Sequence, residues 1–187
     1  MPILQFPEIE EDKALILLFI IKKYNCLADN QLGRTIMQKL VYFLKFAGLP
    51  LNYSFKLYHY GPFSSELLTD MDILQIRGLI EDHRVENASR YTLAQRGEQL
   101  LIEKDSKING FKDKTGEIVD LVGKLNASDM ELFSTTHYIF WAYKNYSGKS
   151  PQKDFVIDKV YEIKEKKFQK RQIISAFDQM KQVGMLD

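Results

Sequence analysis

The sequence predicts a mainly α-helical protein with a small antiparallel β-sheet, on three observations. Apolar residues recur at helical spacing through most of the chain, as in Ile36, Leu40, Phe43, Leu44 and Ala47. Period-two stretches are short and confined to the middle third, as in Ser54–Tyr60. Glycine and proline stop signals such as Gly48 and Pro50 fall between these segments.

The first element is the run Ala14 to Ile21, eight apolar residues in succession. A membrane-spanning helix needs roughly 20 such residues. Glu8, Glu10, Glu11 and Asp12 precede the run where an export signal would carry positive charge. Acids before it and Lys22 and Lys23 after it suit a helix dipole, and a helix apolar on every side is buried. A second helix is expected over Arg34–Ala47, ended by Gly48. A strand follows at Ser54–Tyr60, and Gly61-Pro62 is expected to turn the chain.

Ser64 is placed to cap a third helix, with Leu67, Met71 and Leu74 as its buried stripe and Gly78 as its end. Leu79–Glu86 and Ser89–Leu93 read as two strands joined near Asn87-Ala88, followed by a helix over Ala94–Lys104. The order helix, helix, strand, helix, hairpin gives residues 1–104 a winged helix-turn-helix-like core. Residues 105–115 carry Gly110, several lysines and few large apolar groups, and are expected to be a loop or linker. Residues 116–187 are expected to form a C-terminal helical bundle packed on the core. Its helices cover 116–125, a segment from Asn126 or Ser128 to Asn145, a segment opened by Ser150-Pro151, and Phe168–Val183 ending at Gly184.

The chain has 187 residues, 45% apolar and 27% charged, which excludes disorder and collagen-like structure. With 26 Lys and Arg against 25 Asp and Glu there is no global polycation to argue for nucleic acid. The single cysteine, Cys26, cannot form an internal disulfide; it fits a reducing, cytoplasmic setting, and its place after a buried helix suggests a packing role. His59, His83 and His137 fall in different elements without ligand spacing, and no phosphate loop, dinucleotide turn or nucleophile elbow occurs. Glu81 and Asp82 alternate along a strand and do not converge. No metal, cofactor or enzymatic activity is expected.

Two motifs stand above this background. One is Gln38-Lys39-Leu40-Val41-Tyr42-Phe43-Leu44-Lys45; the other is Tyr58-His59-Tyr60-Gly61-Pro62-Phe63-Ser64-Ser65-Glu66-Leu67. With Gly78-Leu79-Ile80 and Tyr91 to Gly97, they resemble the SocA-like antitoxin family, also called the Panacea domain, and its YwgA-type relatives. In that family a Gln-Lys-Leu-x-Tyr helix precedes a Tyr-Gly-Pro-Tyr/Phe-Ser turn. The resemblance covers about residues 10 to 104, with a looser echo in Ile173, Ala176, Phe177 and Gly184. Ala94 departs from the Ser or Thr with which a wing often ends.

The resemblance implies a mostly helical domain with a small sheet and a role in recognising another protein, a toxin or a protease-linked partner. The residues singled out for that contact are Lys39, Tyr42, Tyr58, Tyr60, Phe63 and Glu66. The same residues also have an architectural reading. Tyr60-Gly61-Pro62-Phe63 is equally a structural corner, Lys39 and Lys45 a solvated helix edge, and Tyr42 and Tyr58 core tyrosines with satisfied hydroxyls.

Duplex DNA is the competing partner. Over residues 64–78 Glu66, Asp70 and Asp72 oppose only Arg77, and residues 61–120 hold 8 basic and 12 acidic side chains, the wrong sign for a helix approaching phosphates. The C-terminal part differs, with Lys164, Lys166, Lys167, Lys170 and Arg171 opposed locally only by Glu165. The alternative is therefore a transcriptional regulator that contacts DNA through this turn and the two helices flanking it. The competing reading of the same run is a solvated basic turn. Oligomeric state is not legible.

Overall fold

The computed structural model describes residues 8–27, 32–84 and 88–186. The protein is mostly helical, with two antiparallel two-stranded sheets. It divides into two compact units, one of Met1–Phe55 with Ser64–Lys124, the other of Lys56–Phe63 with Leu125–Asp187. The expected division at 104 and 116 is therefore displaced at both ends.

In the first unit, α1 (Glu11–Asn25) packs against α4 (Gln95–Glu103), α6 (Lys112–Val122) and β4 (Tyr91–Leu93). Leu15 to Leu18, Ile20, Ile21 and Tyr24 are fully buried, as an all-round apolar helix requires. Cys26, expected to pack, is instead exposed, because it caps α1 where the chain leaves the core. Helix α2 (Arg34–Phe46) ends at Gly48, whose φ of 88° is the left-handed conformation that glycine adopts freely.

Ser64 caps α3 (Ser65–Ile76) by accepting from Leu67 N at 3.4 Å, and Leu67, Met71, Ile73 and Leu74 are buried. Strand β3 (Ile80–Asp82) pairs with β4 in the register Ile80 to Leu93. Both strands are shorter than expected, and the Asp82 carboxylate at the end of β3 accepts from Ser89 Oγ and Arg90 N, just ahead of β4. Of the joint expected near Asn87-Ala88, Asn87 lies outside the described residues. Ala94 provides no side-chain cap for α4. Gly97 lets α4 approach Leu79 so closely that a Cβ would lie 2.1 Å from its carbonyl oxygen.

Residues 105–115, expected as a linker, contain α5 (Asp105–Ile108) and the first turn of α6. The buried positions Ile108, Thr115, Val119 and Val122 keep helical spacing; Gly110 and the lysines masked that stripe in the sequence.

In the second unit, α7 (Ala127–Ser147), α8 (Lys153–Ile163) and α9 (Lys170–Gln182) pack pairwise around Leu132, Phe140, Val156, Val160, Phe177 and Met180. Asn126 Oδ1 caps α7 from Asp129 N at 2.9 Å. Helix α8 begins later than expected: Pro151 is buried in extended chain and Gln152, not Ser150, is the cap. Phe168, expected inside the last helix, is buried ahead of it, and Gln169 N donates to Gln172 Oε1 at 2.8 Å to start α9. The strand pair β1 (Lys56–Tyr58) and β2 (Gly61–Phe63) belongs to this unit, where β2 packs on α7. Among the described residues no helix is long and apolar enough to cross a membrane.

Candidate functional site

The β1–β2 hairpin turns at His59-Tyr60, two positions before the expected Gly61-Pro62 corner. Neither turn residue has a positive φ, whereas Gly61, paired with Tyr58 directly after the turn, sits at 89°, a conformation that glycine adopts freely. Gly61 and Pro62 are consequently buried strand residues. The turn holds Tyr58 and Tyr60 outward, 57% and 65% exposed, with Tyr58 edge-on to Phe63 at 5.4 Å.

A cleft of about 690 Å³ opens beside this hairpin, lined by Leu57 to Tyr60, Glu131, Ile163 to Glu165 and Lys167. Its floor is an ionic group. Lys164 and Glu131 are each 3% exposed, with Nζ 3.0 Å from Oε1. The contact is an ion pair whose angle falls short of a hydrogen bond. Lys164 also donates to the His59 carbonyl at 2.7 Å, fixing the hairpin turn from the turn between α8 and α9. Burial pushes the Lys164 ammonium down from the usual lysine range, and the Glu131 contact opposes that shift.

Lys167, half-exposed, donates to Glu131 Oε2 at 2.8 Å and lies over the rings of Tyr60 and Phe168, 5.7 and 5.4 Å from their centroids. Between the two lysines, Glu165 and Lys166 adopt φ of 47° and 64°. Left-handed backbone is unfavourable for residues with a Cβ, and it reverses the chain so that both ammoniums flank one carboxylate.

The residues singled out from the sequence are separated by this geometry. Tyr58, Tyr60 and Phe63 share the hairpin. Lys39 and Tyr42 are buried in the first unit at 2% and 0% exposure, so neither is a surface contact; they lie on the same face of α2 as the core. Lys45, expected on a solvated edge, donates to the Tyr53 carbonyl at 2.6 Å. Glu66 is exposed in the first turn of α3 and accepts from Ser54 N at 2.8 Å.

The basic run is divided in the same way. Lys164 and Lys167 are held by Glu131, and Lys170 by Asp158 at 2.6 Å. Lys166 and Arg171 are exposed without an ion pair among the described residues. Glu131, His59 and Glu165 escaped the sequence reading as site residues. The available signal was Glu131 itself, a carboxylate among Met130, Leu132 and Ser134, which a buried helix face accepts only with a cation partner.

No protein-family model matches the chain, and a search of curated proteins finds no match.

Proposed function

We propose that this protein is a non-enzymatic module that binds another protein through the tip of the β1–β2 hairpin, in the manner of an antitoxin or an adaptor. The observation that carries the reading is the pair Tyr58 and Tyr60, two large aromatic side chains held in water by a turn whose carbonyl is pinned by Lys164. Tyrosines on a rigid support are efficient interface anchors, since little conformational freedom remains to be lost on binding. The resemblance of the Tyr58–Leu67 stretch to antitoxin motifs supports the same reading, as does the winged helix-turn-helix-like element order with its acidic third helix. The competing reading, a DNA-binding regulator using Lys164–Arg171, loses support from the pairing of three of its five cations with Glu131 and Asp158.

Tagged protein purified from its native, cytoplasmic setting tests the proposal. A stoichiometric protein partner is expected with the native sequence and is expected to be lost from the Tyr58→Ala/Tyr60→Ala variant. Recovery without a partner, or equal recovery by both proteins, overturns it. Duplex binding that weakens steeply with salt and with Lys166→Ala would favour the regulator.

A further inference from the structure

Resting on that reading, we infer that the cleft between the β1–β2 hairpin and the α8–α9 turn receives a carboxylate-bearing, acidic peptide segment of the partner protein. The cleft holds hydrogen-bond donors that its own acceptors do not use up. A lysine ammonium has three. Lys164 directs one at the His59 carbonyl and faces Glu131, whereas Lys167 gives one to Glu131 Oε2 and remains 47% exposed at the mouth of the cleft. Lys167 therefore keeps donors for a ligand without releasing Glu131.

Charge points the same way. Two ammoniums share one carboxylate, so the ionic floor carries a net positive charge in a recessed setting where charge is poorly screened. Glu165 also lines the cleft, but it stands in water next to the exposed, unpaired Lys166, which offsets it. An incoming carboxylate completes the pairing, whereas an incoming cation would meet two ammoniums.

Shape and cation distribution select peptide over polynucleotide. The cleft volume lies within the range of roughly 300–1,000 Å³ that suits a small bound segment, and Tyr58 and Tyr60 flank it with apolar rings and hydroxyls. A phosphate backbone needs a track of free cations, yet Lys164 is buried and Lys170 is held by Asp158. The left-handed Glu165-Lys166 pair is the kind of backbone that persists where the surroundings over-determine it, often at ligand sites.

The test uses fluorescence anisotropy of the full chain at low salt with three labelled probes: a capped peptide of alternating Glu and Leu, its Lys and Leu counterpart, and oligo(dT). Saturable binding of the acidic peptide alone is expected. It is expected to weaken about tenfold or more in Lys167→Gln and in Tyr60→Ala, the scale of an interface anchor. Lys170→Gln, outside the cleft, is expected to leave it unchanged, and circular dichroism verifies that each variant is folded. Absence of saturable binding, or affinity unaltered in both cleft variants, overturns the inference. Tighter oligo(dT) binding with the same residue dependence overturns it in favour of single-stranded nucleic acid.

The two readings fail separately. A native partner lost with Tyr58 and Tyr60 but retained by Lys167→Gln removes the cleft inference alone. Peptide binding that depends on Lys167, with no native partner recovered, removes the protein-module reading alone.

Discussion

The side-chain amide of Gln38 reads the backbone of Ser64 in both directions: Nε2 donates to the Ser64 carbonyl at 2.9 Å, and Oε1 accepts from Ser64 N at 2.8 Å. Both residues are buried, at 3% and 1% exposure. An amide in this pose replaces a missing strand neighbour and fixes the residue that caps α3. The two sequence motifs thus meet in space through a glutamine and a main-chain unit 26 positions away.

Replacing Gln38 by Ala leaves the Ser64 N–H buried without a partner and its carbonyl with only the 3.4 Å bond from Leu68 N, and is expected to cost about 2 kcal/mol. Gln38→Glu keeps an acceptor for the N–H but sets a carboxylate against the carbonyl, and is expected to destabilise as well. Denaturant unfolding of both variants checks this; a loss below about 0.5 kcal/mol in each, the ordinary range of surface changes, would contradict it.

Gly97→Ala is expected to destabilise by about 2 kcal/mol although alanine is the better helix former. The added Cβ would sit 2.1 Å from the Leu79 carbonyl oxygen, which is backbone and cannot rotate away. Gly110→Ala is the contrasting case: its nearest neighbour, the Lys107 carbonyl, would be 3.6 Å away. Alanine there is expected to be neutral or to stabilise by about 0.5 kcal/mol through the unfolded chain. Thermal melts of the two variants should move in opposite directions or differ clearly in size.

Much of this fold was legible because its determinants are local. The cap at Ser64, the cap at Asn126 and the stop at Gly48 each depend on residues within one helical turn; Ser64 and Gly48 appear where the spacing placed them, and Asn126 is the one of the two candidate caps, Asn126 or Ser128, that the helix uses. The organisation into units was not legible. The hairpin at 56–63 joins helices that begin more than sixty positions later, and nothing near it announces that destination. The site was half legible for the same reason. The exposed hairpin tyrosines and the basic turn could be named, but part of the turn's charge is offset by Glu131, 36 positions upstream of Lys167, and by Asp158. Counting charges in a window cannot find such partners. Lys39 shows the limit from the other side, since a lysine in a helix is read as solvated unless its burial is known.

Glu131 and Lys164 are expected to behave as a coupled pair. Glu131→Gln leaves the buried Lys164 ammonium without its counterion and is expected to cost about 3–5 kcal/mol, whereas Lys164→Met is expected to cost less, because Glu131 keeps Lys167 at 2.8 Å. The double variant is expected to cost clearly less than the two singles combined, because Lys164→Met removes the ammonium that Glu131→Gln strands. Burial already holds the Lys164 ammonium below the usual lysine range. Loss of Glu131 lowers it further, so the unfolded chain binds the extra proton between that lowered value and the ordinary one. The stability of Glu131→Gln therefore rises with pH as the pH approaches the usual lysine range. Additive losses in the double variant would refute the coupling.

Cys26 is expected to react with a thiol reagent in the native state without prior unfolding, since it is exposed at the end of α1. Cys26→Ser is expected to change stability by no more than about 0.5 kcal/mol, as for other surface substitutions. Reagent consumption that waits for denaturant would show the thiol to be packed instead.

His137 supplies the expected pH dependence on the acid side. It is 2% exposed inside α7, and burial pushes its imidazole down to about 3, opposed by the Met185 main-chain contact. Its ordinary value is about 6.5, so between those limits the unfolded chain holds a proton that the folded chain lacks. Its contribution is therefore fully present above about 6.5 and is lost as the pH falls toward the folded value. The slope over that window is about 1.4 kcal/mol per pH unit. Denaturant unfolding at several values across the window should show this slope in the native sequence. His137→Gln removes the titration and is expected to flatten that part of the profile, whatever it costs at neutral pH. Equal slopes in the two proteins would mean that the imidazole is protonated in the folded state.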